Sequence, residues 1–180
     1  PKAPEAVEQV LQSGYIGQGP KVDLFEELLW KELKCENKPI TLNSCTSALD
    51  LALHLIGVKE GDEVISTPQT CFATQIGSLH RNLKIRWADI DPITGCISPL
   101  SVKNLVNNKT KAIFAVNWAG RFCDFKTLKT FGIPVIEDAA HCWDVFTNSK
   151  IERGDYICYS FQAIKFLTSS SIASFQASAA

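Results

Sequence analysis

The sequence predicts an α/β protein in which three layers, α/β/α, are built around a mostly parallel sheet. Three observations carry that expectation. From residue 20 onward, stretches with helical apolar spacing alternate with short apolar runs of strand length. Successive runs are separated by segments long enough for a helix, which calls for right-handed βαβ crossovers rather than hairpins. Polar clusters recur where a predicted strand gives way to a predicted helix, the end of a parallel sheet at which ligands bind.

Each element has a local reason. Pro20 suits the first turn of a helix, and Val22, Phe25, Leu28, Leu29 and Leu33 follow at helical spacing. A short strand over 39–42 leads to Asn43 and Ser44, both good helix N-caps. The helix expected over 47–56 is apolar around most of its circumference, so it should be well buried, and Gly57 suits its C-terminal cap. A strand over 63–66 and a Pro68 turn precede a helix near 71–79. A strand over 84–88 and the turn Asp89-Ile90-Asp91-Pro92 precede a helix over about 99–106. The run over 111–116 is β-branched and apolar enough for a central strand. A helix near 125–131 then leads to strands over 134–137 and 156–161. No internal repeat is evident.

Composition narrows the class of function. With 180 residues, 46% hydrophobic and 21% charged, the chain fits a globular domain with one ordinary core. A formal net charge of −1 supplies no field for nucleic acid or an acidic membrane, and Lys103, Lys109 and Lys111 read as a solvated face. No apolar stretch approaches the ~20 residues of a membrane span, and the N-terminal segment lacks a signal-peptide core. The seven cysteines contain no C-x-x-C pair, which argues against a disulfide framework or structural zinc. They read mostly as small buried apolar residues in a reducing compartment, with the cytoplasm as the expected location.

Several residues at the strand ends are candidates for chemistry. Lys165 lies five residues after Ser160, just past a predicted strand, among Ala163, Ile164, Phe166 and Leu167; apolar surroundings favour the neutral amine, which forms Schiff bases. An ordinary surface lysine is the plainer reading. Asp138 ends an apolar strand, where a carboxylate needs a cationic partner such as a protonated pyridine nitrogen; a helix N-cap is its simpler role. Thr46 and Ser47 open a helix whose unpaired N–H groups favour a phosphate, although capping alone explains such residues in most proteins. Ser160 adds a hydroxyl at another strand end. The G-x-x-G-x-G-P run from Gly14 lacks the strand and spacing of a dinucleotide fingerprint and reads as an entry loop.

Seven motifs occur in order: GYIGQGPKV (14–22), NSCTSAL (43–49), GDEVISTPQTCFAT (61–74), ADIDPITG (88–95), VNWAG (116–120), VIEDAAHC (135–142) and YSFQAIKFLTS (159–169). Together they resemble the DegT/StrS family of sugar aminotransferases, which has the type I aminotransferase fold and uses pyridoxal 5'-phosphate. The resemblance implies that Lys165 holds the cofactor as a Schiff base and then moves the proton. It implies that Asp138 pairs with the pyridine nitrogen, that Thr46, Ser47 and Ser160 bind the phosphate, and that His141 lies near the phenolic oxygen. It further implies an amino-acid donor, usually glutamate, a nucleotide-linked keto sugar as acceptor, a role in polysaccharide or cell-surface glycan biosynthesis, and a homodimer when full length.

The departures from the family pattern are local, except at the end. Cys71 stands where many members stack an aromatic ring on the cofactor, Cys45 replaces a glycine of the phosphate loop, and Phe166 replaces a histidine or asparagine. The family continues past its lysine motif with a glycine pair and about as many residues again, whereas this sequence runs into SSSIASFQASAA. The expected division is therefore a partial large domain of a pyridoxal-phosphate-dependent transferase over 1–170 and a non-family tail over 171–180, disordered or an artefact of truncation. Two alternatives stand beside transamination. One is a sugar dehydratase of the same family, whose members typically carry histidine in place of Lys165; the other is a non-catalytic fragment.

Overall fold

The computed structural model describes residues 3–142, 151–165 and 173–177, the last five by their backbone. Two helices come first, α1 (Ala3–Ser13) and α2 (Pro20–Leu33). Then follow β1 (Ile40–Leu42), α3 (Cys45–Ile56), β2 (Glu63–Ser66), α4 (Ala73–His80), β3 (Lys84–Trp87) and α5 (Pro99–Leu105). The chain continues with β4 (Thr110–Val116), a short 3-10 turn at Trp118–Gly120, α6 (Phe125–Lys129), β5 (Val135–Asp138), β6 (Tyr156–Ser160) and β7 (Ala173–Ala177).

The strands form one sheet in the order β1-β7-β6-β5-β4-β2-β3. Strands β3, β2, β4, β5 and β6 pair in parallel, while β7 runs antiparallel to both β6 and β1. The three layers follow from alternation of side chains along the strands. Val64, Ala112, Phe114, Ile136 and Cys158 face Ala48, Leu49, Ala52 and Leu53 of α3. Their neighbours Ile65, Ile113, Ala115 and Val135 face Val102 of α5 and Phe125 and Leu128 of α6. On that second side, Ile157 and Tyr159 also cover Leu29 of α2.

The local expectations hold at most elements. Pro20 occupies the first turn of α2, Ser44 caps α3 through its side chain, and Gly57 closes α3 in the left-handed region at φ 77°. Strand β4 lies between β2 and β5 and is buried except at Lys111, as its run of apolar residues predicts. In α2 the inward stripe is Phe25, Leu29 and Leu33, and Leu28 is exposed. A carboxylate takes part in that docking as well. Buried Glu26 accepts from the Thr41 amide at 2.8 Å and from its hydroxyl at 3.0 Å, tying α2 to β1.

The tail is where the fold departs from expectation. Residues expected to be disordered supply β7, paired with Tyr156–Ser160 on one side and Ile40–Leu42 on the other. The reason lies outside the segment. Strands β6 and β1 each present a row of backbone donors and acceptors, and a strand between them satisfies both.

Strand order reverses between β2 and β4. From β2 the chain moves outward to β3; from β4 it moves the other way to β5 and β6. Such a reversal opens a crevice at the carboxyl ends of the parallel strands.

Candidate active site

A cavity of about 330 Å³ occupies this crevice, a volume suited to a small molecule. Five connections build its wall: Asn43 to Thr46 and Leu49 after β1, Thr70, Cys71, Ala73 and Thr74 after β2, Val116 at the end of β4, Asp138, Ala140 and His141 after β5, and Ser160, Gln162 and Lys165 after β6. The structure therefore brings Lys165, Asp138, His141, Thr46 and Ser160 into one site. Ser47 is the exception among the expected residues, since its side chain does not line the cavity.

Ser47 is engaged in shaping the turn. Its hydroxyl donates to Asn43 Oδ1 at 2.7 Å and lies 2.9 Å from Ser44 Oγ. Its amide donates to Ser44 Oγ at 3.1 Å, and the Ala48 amide donates to the Ser44 carbonyl at 3.2 Å. The amides of Cys45 and Thr46 have no partner among the described residues. Two free donors thus stand at the positive end of a 12-residue helix, with the Thr46 hydroxyl beside them, an arrangement able to accept an anion.

Asp138 is 6% exposed, and both of its oxygens are engaged. The Ala140 amide donates to Oδ1 at 3.0 Å, and the Thr74 hydroxyl donates to Oδ2 at 2.8 Å. Thr74 had no assigned role in the sequence. The available signal was two threonines four residues apart at a helix entrance, but only the tertiary fold connects position 74 to position 138.

Lys165 lies in the turn after β6, where its amide donates to the Gln162 carbonyl at 2.8 Å. Of the apolar neighbours expected to surround it, Ala163 and Ile164 are exposed, and Phe166 and Leu167 lie outside the described residues. Lys165 shares the cavity wall with Asp138 and His141. His141 packs edge-on against the Trp118 ring, with centroids 5.5 Å apart. Burial, and then the Lys165 charge, hold the His141 imidazole below its ordinary value against the opposing pull of Asp138. This gives a first expected result. The folded chain binds this proton less tightly than the unfolded chain, so His141 contributes stability above about pH 6.5 that is lost as pH falls through its depressed value. Urea unfolding of His141→Gln should show a flatter pH dependence across that window than the parent; identical slopes would contradict the placement of His141.

Cys71 lines the cavity and is exposed, whereas Phe72 does not line it and is 67% exposed. The aromatic ring adjacent in sequence therefore does not replace the ring that Cys71 displaces. Cys45, also on the wall, has its thiol pushed well above its ordinary value by burial, with Asp138 adding to the effect.

On the opposite face of the sheet, a second polar group supports the site from below. Glu137 is fully buried and paired with Arg153, whose Nη2 lies 2.6 Å from Oε1 and whose Nε lies 3.0 Å from Oε2. Asn117 Nδ2 donates to the same carboxylate at 2.6 Å and the Gly154 amide at 2.9 Å. A Cβ on Gly154 would stand 2.7 Å from Glu137 Cβ, so only glycine permits this approach. Sequence reading overlooked the pair because strand alternation, rather than composition, turns Glu137 away from Asp138.

A mostly parallel sheet with a lysine, a carboxylate and a helix start converging on one cavity at its strand ends defines the class as an α/β domain with a ligand-sized site there. The chain belongs to the DegT/DnrJ/EryC1/StrS aminotransferase family, whose profile matches residues 2–171. It is 36% identical over 171 residues to the spore coat polysaccharide biosynthesis protein SpsC of Bacillus subtilis, covering 91% of this chain and 43% of SpsC. Among solved structures, AtS13 from Actinomadura melliaura matches with a TM-score of 0.90 at 33% identity, over 99% of this chain and 51% of AtS13. Spr1654 from Streptococcus pneumoniae, described as a sugar aminotransferase and solved in PLP and PMP forms, matches with a TM-score of 0.86 at 28% identity. That match covers 97% of this chain and 50% of the PLP-form chain. The chain spans about half the length of the relatives it matches.

Proposed function

We propose that this chain is the lysine-bearing part of a pyridoxal-phosphate-dependent aminotransferase that moves an amino group from an amino acid, glutamate, to a nucleotide-linked keto sugar. The reading extends to polysaccharide or cell-surface glycan biosynthesis, to a cytoplasmic setting, to residues 1–170 as part of the cofactor-binding large domain, and to a homodimer in the whole protein. One observation carries it: Lys165 and Asp138, 27 positions apart in sequence, line a single cavity with the free start of α3.

The residues present suit the cofactor. Pyridoxal 5'-phosphate, when bound, supplies the electron sink through which nitrogen leaves an amino acid and enters a keto compound. The Lys165 amine would hold it covalently and carry the proton between the two carbons of the shift. Asp138 would keep a proton at the pyridine nitrogen, and the ring cation would be the counter-charge that this buried carboxylate requires. Thr46, its amide and the Cys45 amide would take the phosphate together with Ser160. Ser47 enters this set indirectly, by holding the turn; its own hydroxyl reaches a phosphate only by releasing Asn43. His141 would sit beside the phenolic oxygen.

The test is transfer itself. Supplied with pyridoxal phosphate, glutamate and a nucleotide-linked keto sugar, the whole protein should form 2-oxoglutarate and an amino sugar in equal amounts. Formation of a dehydrated sugar without 2-oxoglutarate would replace this reading with the dehydratase one. A binding measurement complements the assay. Iodoacetamide should alkylate the exposed Cys71 before the half-buried Cys45, whose thiol is pushed up, and pyridoxal phosphate should slow that labelling. Labelling of Cys71 at an unchanged rate with saturating cofactor would argue that the cofactor does not enter this cavity.

A further inference from the structure

We infer that Thr74, backed by Thr70, is a positioning residue for the cofactor-pairing carboxylate; this inference rests on the function proposed above. Thr70 Oγ1 and Thr74 Oγ1 lie 2.7 Å apart, and Thr74 Oγ1 lies 2.8 Å from Asp138 Oδ2. An ionised carboxylate only accepts, so the Thr74 hydroxyl hydrogen points to Asp138. The Thr74 oxygen is then left to accept, which makes Thr70 the donor of the pair. The chain of hydrogen bonds therefore has one direction, from Thr70 through Thr74 to Asp138.

The placement of this chain matters for the site. Thr74 is 1% exposed and lies in the first turn of α4, whereas Thr70 is half-buried on the cavity wall. The Ala140 amide holds the other carboxylate oxygen from the backbone at 3.0 Å. The two donors lie on separate elements, β5 with its following turn and α4, and between them they prevent rotation of the carboxylate plane. A carboxylate held in this way presents its remaining lone pairs to the cavity in a constant direction.

Thr74→Val removes the hydroxyl and keeps the shape; Thr74→Ser keeps the hydroxyl. In the whole protein, Thr74→Val should weaken pyridoxal-phosphate binding, titrated by fluorescence, by roughly 10- to 100-fold, the equivalent of one hydrogen bond to a charged group. It should shift the pH at which the bound cofactor changes its absorption, and lower kcat while the donor KM stays unchanged. Thr74→Ser should restore all three, and Thr70→Val should give a smaller change in the same direction. If wild type forms a borohydride-stable adduct at Lys165 and Thr74→Val matches it in affinity and spectrum, the positioning role is wrong and the proposed function stands. If wild type binds no cofactor, both fall. Should Thr74→Val fail to fold, the serine and Thr70→Val variants decide: wild-type affinity and spectrum in Thr70→Val, or their loss in Thr74→Ser, overturn the inference.

Discussion

Replacing Lys165 with alanine is expected to abolish borohydride-stable attachment of pyridoxal phosphate and to lower amino transfer by about 10⁴-fold, the upper end of what a positioned acid–base group contributes. The expectation is specific because the two effects separate. Covalent attachment needs an amine at this position, and among the described residues none of the others that line the cavity carries one. Residual binding should survive, since the start of α3, Ser160 and Asp138 are untouched by the substitution. Lys165→Ala is therefore expected to be nearly inactive and still able to bind the cofactor reversibly. Mass spectrometry of the reduced wild-type protein gives the decisive reading: the modified peptide should contain Lys165. Modification of a different lysine, with unchanged attachment in Lys165→Ala, would overturn the assignment.

Much of this site was open to sequence reading, and the reason is topological. In a parallel sheet every βα connection emerges at the same edge, so listing the polar residues after each predicted strand also lists neighbours in space. Thr46, Asp138, Ser160 and Lys165 were identifiable as candidates on that basis, whereas His141 entered only through the family resemblance. What escaped were properties that depend on orientation. Ser47 and Thr46 are adjacent hydroxyls at a helix start, and only the cap formed by Ser44 decides that one faces the cavity while the other faces Asn43. The link from Thr74 to Asp138 spans 64 positions and requires α4 to lie beside the end of β5. Strand β7 escaped for another reason. The small and polar residues of the tail have little preference of their own, and the demand for pairing comes from β1 and β6.

Breaking the Glu137–Arg153 pair should destabilise the fold strongly without touching the cavity. Breaking one side of a buried ion pair typically costs about 3–5 kcal/mol, because the remaining charge stays desolvated without its partner. Here the Glu137 side chain is 0% exposed and that of Arg153 is 20% exposed. Burial works against the guanidinium charge, and Glu137 ahead of Tyr159 outweighs it, holding Arg153 above its ordinary value. In Arg153→Ala the carboxylate would keep only the Asn117 and Gly154 donors for a full negative charge. Urea unfolding should show Arg153→Ala and Glu137→Ala each destabilised by about this amount, and the double variant by less than their sum. The consequence reaches the site through the backbone. Glu137 precedes Asp138 on β5, and its grip on Arg153 and Gly154 fastens β5 to the segment that enters β6, the strand ending at Ser160. Weakened cofactor binding should accompany the lost stability and recover when the fold is stabilised from elsewhere, because no residue touching the cavity has changed. Stability in Arg153→Ala equal to that of the parent would show that solvent already screens the pair, and the strand ends would then be held by their ladder hydrogen bonds alone.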